Sequence, residues 1–124
     1  MTTGQFSPQS LRGRHAKLLL IDPWDLVSEV GSGPFTVTIL DLEPIQQLLL
    51  LELRPSFFYK AVECRYFVAR VRHEQPGLPE LSSDIDVTCN LTRIPAEELG
   101  PGRNPFGLNL WRGGIGAIAD LRLM

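Results

Sequence analysis

The sequence predicts a mainly β protein: a small antiparallel barrel or sandwich of about six to seven strands, with one or two short helical turns. Three observations lead there. Ten Pro and eleven Gly in 124 residues fall mostly in clusters between apolar runs, as short strands joined by turns require. Several runs alternate apolar and polar residues with the period of two that a half-buried strand imposes. The longest stretch free of Gly and Pro, residues 57–74 (FFYKAVECRYFVARVRHE), is dense in aromatic and β-branched side chains, which suit a pleated surface.

Composition sets the outer limits. At 124 residues the chain has the length for one domain with one buried core. An apolar fraction of 44% and a charged fraction of 21% are those of an ordinary globular protein. A net charge of -2 and a pI near 5.6 disfavour a dedicated nucleic-acid binder, which carries a basic excess. The first residues lack the apolar core of a secretory signal. The longest apolar run, Leu48 to Leu51, is far too short to cross a bilayer. A cytoplasmic protein with no membrane attachment is the resulting expectation. Cys64 and Cys89 fall at apolar positions of predicted strands and face one another if those strands are neighbours. In a reducing compartment they are expected to serve as small buried hydrophobes, with a disulfide as the alternative.

Taken in order, residues 1–14 are polar and aperiodic and are expected to form a flexible arm, with residues 15–124 as the single β-rich domain. Residues 16–21, AKLLLI, make a first strand. Asp22, Pro23 and Asp25 carry the capping chemistry of a short helix that Gly31 would end. After the break at Gly31 to Pro34, FTVTILDL places Phe35, Val37 and Ile39 on one face and Thr36 and Thr38 on the other. Residues 46–53, QQLLLLEL, form another extended run that Pro55 stops soon after; the alternative, an amphipathic helix over 44–53, is disfavoured because four consecutive Leu give no single face. Apolar on both sides, it needs cover from a second layer or a partner chain.

Residues 57–74 are expected to form the central strand. Its apolar phase runs through Val62, Cys64, Tyr66 and Val68, then changes to Phe67, Ala69 and Val71, with Arg70 and Arg72 opposite. A shift of one residue demands a bulge, or a strand that passes from one packed layer to another. Residues 75–83 are a loop. IDVTCNLTRI, residues 85–94, alternates cleanly, with Ile85, Val87, Cys89 and Leu91 on the apolar side and Asp86, Thr88, Asn90 and Thr92 opposite. Pro95 to Gly100 makes one helical turn. The end of the chain forms a hairpin turning at Gly113-Gly114, with Ile115, Ala117, Ala119, Leu121 and Leu123 on one face of its return strand.

Catalytic patterns are sparse. Gly31-Ser32-Gly33-Pro34 lacks the spacing of a nucleophile elbow, and no phosphate-binding Gly-rich motif opens a helix. Arg112-Gly113-Gly114-Ile115-Gly116 fits a hairpin turn better than an anion cradle. His15, His73, Glu74, Cys64 and Cys89 do not have metal-ligand spacing, so no metal and no cofactor is expected. Asp22 and Asp25 beside Trp24 are accounted for by capping, and the Asn90-Leu91-Thr92 sequon has meaning only in an exported protein. The candidate binding residues are Arg65, Arg70, Arg72 and His73, charges along and at the end of the central strand, together with the aromatic Trp111. Phe57, Phe58, Tyr59 and Tyr66 beside Lys60 and Arg65 have the composition of a base-stacking surface, but core packing is the simpler role for most of these rings.

The function expected from this is a non-enzymatic protein-interaction or assembly module, acting on a protein partner or on a second copy of itself. The Leu48 to Leu51 run, Phe106 and Trp111 are the apolar candidates for its interface. One alternative is a nucleic-acid or anion-binding barrel using the Arg cluster. The other is a small enzyme with a pocket near Trp24 and His73.

Overall fold

The computed structural model describes residues 11–22, 31, 33–43, 45–59, 61–72, 86–107 and 116–124. Six strands form a closed antiparallel barrel: β1 (His15–Asp22), β2 (Phe35–Glu43), β3 (Leu48–Tyr59), β4 (Val62–Val71), β5 (Val87–Ile94) and β6 (Gly116–Leu123). Each strand pairs with its chain neighbours, and β6 returns to pair with β1, with Ala16 opposite Leu123 and Leu18 opposite Leu121. The helical content among the described residues is two single 3-10 turns, Ala96–Leu99 and Pro105–Gly107. The first of these lies within the turn expected at Pro95 to Gly100. The helix expected after Asp22 and the hairpin turn at Gly113-Gly114 lie outside the described residues.

The alternation read from the sequence becomes the inside and outside of the barrel. Ala16, Leu18 and Leu20 of β1, Val37 and Ile39 of β2, Leu49, Leu51 and Leu53 of β3, and Cys89 and Leu91 of β5 are buried in one interior cluster. Ala117, Ala119, Leu121 and Leu123 of β6 join it. A small barrel fills its interior by setting bulky side chains beside small ones. The largest fully buried side chain among the described residues, Phe67, shares this interior with Ala16, Ala69, Ala117 and Ala119.

The stretch expected to be one central strand is a hairpin. Phe57 to Tyr59 complete β3, the chain turns through Ala61 at φ 66°, and β4 begins at Val62. Nor does Pro55 end the preceding run: β3 passes through it, across a cis Arg54–Pro55 bond. Pro55 sits where the register slips, between the Glu52–Tyr66 and Phe57–Cys64 pairs. A residue without an N–H is tolerated at such a bulge because no ladder bond is asked of it.

The phase change expected in β4 is present. Cys64 points into the barrel, and so do Phe67, Ala69 and Val71, whereas Val68 belongs to a separate outer cluster with Tyr66 packed against it. Phe67 is three positions on from Cys64, an odd step, so the inward face changes parity between them. β4 thus serves two apolar layers. The four-leucine run is divided likewise: Leu49 and Leu51 enter the interior, while Leu48 and Leu50 join Val68 and Ile94 in the outer cluster. The chain itself covers that cluster, through Leu99 and Phe106 packed against it.

The cysteines do not meet. Cys64 lies opposite Phe57 and Cys89 opposite Val71, seven positions apart along β4, so strands that are neighbours still hold the two thiols well apart. Both are free and buried. Burial, and then the charge of Asp120, push the Cys89 thiol up to about 12; burial also raises Cys64. A thiol held protonated is a poor nucleophile. Cys89 should therefore resist iodoacetamide at pH 8 in the native protein and react readily in 6 M urea, as mass spectrometry of the labelled chain would show; native labelling would place it outside the core.

Residues 1–10 lie outside the described residues, but residues 11–14, assigned from sequence to the arm, pack on the barrel. Leu11 is 0% exposed and belongs to the interior cluster. The Gly13 N–H donates to the Ile39 carbonyl at 2.7 Å, and the Ile39 N–H donates to the Arg14 carbonyl at 2.8 Å. The Arg12 guanidinium lies 2.8 Å from the Asp41 carboxylate. At the other end of the barrel, Gly33 has φ +96°, and a Cβ there would stand 2.7 Å from the Phe35 nitrogen. Glycine meets both demands.

Candidate functional site

The outer face of β3 and β4 gathers the most chemistry. β3 presents Leu48, Leu50 and Glu52 outward, and β4 pairs Val68 with Leu50 and Tyr66 with Glu52. The strand period puts Glu52 on the outside, yet it is only 3% exposed. A buried carboxylate needs partners, and two arginines supply them. Arg54 donates from Nε at 3.0 Å and from Nη2 at 2.8 Å to Oε1. Arg65 donates from Nε to Oε2 at 2.8 Å, with its Nη2 at 2.6 Å. The Arg65 guanidinium also lies over the Tyr66 ring, 5.2 Å from its centroid, within cation–π range.

Burial by itself would raise the Glu52 carboxyl; the hydrogen bonds and charges of Arg54 and Arg65 outweigh it and hold the group below its ordinary value. A carboxyl whose folded pKa is depressed adds stability above its unfolded pKa and loses that contribution as pH falls through the folded one. Both arginine heads are substantially exposed, so water screens the triad. Glu52→Gln is expected to cost about 1 kcal/mol at pH 7. The gap should begin to narrow as pH falls past the ordinary glutamate value, about 4.3, and close only below the lowered value of the folded state. Urea unfolding of both proteins across pH would check this, and a pH-independent gap would contradict the assignment.

Beyond this triad, β3 and β4 continue as the tip of their hairpin. Phe57 packs on the interior cluster and Tyr59 is buried in it, whereas Phe58, between them and paired with Glu63, is 65% exposed. The ring row beneath is continuous: Phe35 to Phe57 at 5.3 Å and Phe57 to Phe67 at 6.4 Å between centroids. Glu63 accepts a hydrogen bond from the Ser56 hydroxyl at 2.7 Å, and its carbonyl accepts one from Arg93 Nε at 2.9 Å. These contacts fix the tip on both strands.

Among the described candidates, Arg65, Arg70 and Arg72 do not assemble as one cluster. Arg65 is engaged by Glu52. Arg70 points outward five residues along β4, about 17 Å away at the usual strand rise. Arg72 follows the strand end and donates from Nε to the Asn90 side-chain carbonyl at 3.1 Å. His73, Trp111 and Trp24 lie outside the described residues. Of the proposed stacking rings, Tyr59 is buried and Phe57 and Tyr66 are half-buried, leaving Phe58. Phe106 is half-buried against the outer cluster. Sequence reasoning missed Glu52 and Arg54, although a lone carboxylate in LLLLEL was a signal that something must neutralise it. Among the described residues, no three His, Cys, Asp or Glu side chains come together as a metal site, and no helix is long and apolar enough to cross a membrane.

No protein-family model, curated protein or solved structure matches this chain. Its own geometry is therefore the basis for a functional reading.

Proposed function

We propose that the chain is a non-enzymatic protein-interaction module that docks through the tip of the β3–β4 hairpin. One observation carries this reading: Phe58 is a large aromatic ring, 65% exposed, mounted between two inward-facing aromatics on a fixed ribbon. Exposing such a ring forfeits burial energy that its neighbours collect. A phenyl ring has only two side-chain torsions to fix, so it loses little freedom on binding, which is what makes aromatic anchors effective at protein interfaces. Arg54 and Arg65, on the same two strands, add the other residue type enriched at such surfaces. A reducing, cytoplasmic setting accords with two buried thiols held apart.

The anion-binding alternative draws less support, because Arg65 and Arg72 already have partners and Arg70 stands far from Arg65. The enzymatic alternative near Trp24 and His73 rests on residues outside the described ones.

Phe58→Ser tests the reading. It should change stability by no more than about 0.5 kcal/mol, as exposed substitutions do, and abolish association. Light scattering on the purified chain and co-purification from its native host would register the loss. A wild-type chain that stays monomeric at high concentration and brings no protein with it overturns the proposal.

A further inference from the structure

The second apolar cluster lies outside the barrel, and the segment over it is attached in an unusual way. Leu48 and Leu50 of β3, Val68 of β4 and Ile94 of β5 form a patch with Leu40 and Tyr66 at its margin. The connection from Pro95 to Gly107 crosses this patch and contributes Leu99 and Phe106. No residue of either of its 3-10 turns is fully buried, and the first turn has no side-chain cap. Among the described residues, the hydrogen bonds of this strap close within itself. Glu98 N–H donates to the Pro95 carbonyl, Arg103 N–H to the Gly100 carbonyl and Gly107 N–H to the Asn104 carbonyl, each at 3.0 Å. Phe106 N–H donates to the Asn104 side chain at 3.1 Å. Its ion pair, Arg103 with Glu98 at 3.9 Å, is internal too. Among the described residues, Leu99 and Phe106 are thus the side chains by which the strap packs on the outer cluster of a barrel whose six strands close without them.

We propose that the strap is a displaceable occupant of an outer docking patch, and that the patch accepts in its place a partner segment presenting two bulky apolar side chains in the manner of Leu99 and Phe106. The chemistry of the occupant follows from the one seated there: an aliphatic and an aromatic anchor on a short-turn frame that asks for no backbone pairing with the barrel. Among the described residues, no hydrogen bond joins the strap to a strand, so leaving breaks none of the barrel's ladder. Staying requires ordering Gly100, Gly102 and Gly107, whose backbones lose the most freedom on being fixed, and that entropic cost weighs against the apolar contacts. Segments with few buried apolar contacts and solvent-exposed hydrogen bonds open locally ahead of the core. This surface is distinct from the hairpin tip, so the inference does not depend on Phe58.

The test uses the full chain and a fluorescent peptide of residues 94–107 as the probe. In the Leu99→Ala/Phe106→Ala double variant the strap no longer competes, and the peptide should bind saturably at least tenfold more tightly than to wild type. A peptide with both anchors changed to Ala should not bind. Hydrogen exchange on the wild type should show the Glu98, Arg103 and Phe106 amides exchanging at least a hundredfold faster than those of β3 and β4. Three outcomes overturn the proposal: a folded double variant that binds no peptide, a double variant or single Leu99→Ala variant that loses cooperative folding, or strap amides as protected as the barrel. Dimerisation of the double variant without peptide binding would assign the patch to a second copy and overturn it as well.

Discussion

Phe67→Ala is expected to lower the unfolding free energy by about 3–5 kcal/mol, the range for removing a buried aromatic ring from a packed core. Phe67 is the largest fully buried side chain among the described residues, and it stands where the inward face of β4 resumes after its change of parity. Its ring also supports Phe57, so the substitution opens a cavity beneath the hairpin. Neighbours cannot collapse into that space easily, because the barrel wall is a continuous hydrogen-bonded ring of strands. Phe67→Leu should cost far less, about 1 kcal/mol, since most of the volume is kept. Urea unfolding with an unchanged slope would measure both; a loss under 1 kcal/mol for the alanine variant would be incompatible with a closed core around this ring.

Leu11→Ala is the second large effect, about 2–5 kcal/mol for a buried leucine. Its size matters because Leu11 precedes the first strand, in a stretch whose composition reads as a solvated arm. If the side chain sits in the interior cluster as described, truncation leaves a void at the barrel end where β1 begins. Gly13 and Arg14, whose backbone bonds hold the turn to Ile39, would keep the segment in place over it. A true arm would register no more than a few tenths of a kcal/mol, so the same denaturation experiment separates the two descriptions.

The barrel was legible wherever the code is local. Alternation in β2, β5 and β6 named the inward residues correctly, and the parity change in β4 announced a strand shared by two layers. What failed was non-local. The turn between β3 and β4 uses Ala61 at positive φ, a conformation the side chain resists, and no Gly, Asn or Asp advertises it. Pro55 looked like a stop because nothing in sequence shows a bulge. Cys64 and Cys89 lie on neighbouring strands, but register, set by the pairing of Val71 with Cys89, keeps them apart. The outward leucines announced a need for cover; a Gly- and Pro-rich connection gave no sign of being that cover. The Arg residues were visible as charges, but Glu52, whose burial explains Arg54 and Arg65, carries its signal only once the outer layer is known.

The seam between β1 and β6 has a consequence for how the chain must search for its fold. The other five pairings join consecutive strands, so each can zip outward from its own connection. The seam joins Ala16 to Leu123, and making it encloses almost the whole chain in one loop. The entropy of closing a loop rises with the logarithm of its length, which makes this pairing the costliest to establish while the rest of the chain is loose. Once the five hairpin pairings stand, the sheet's own twist and curvature bring the two edges together, and the effective loop becomes short. The last ladder of the barrel is thus inexpensive only because the others precede it.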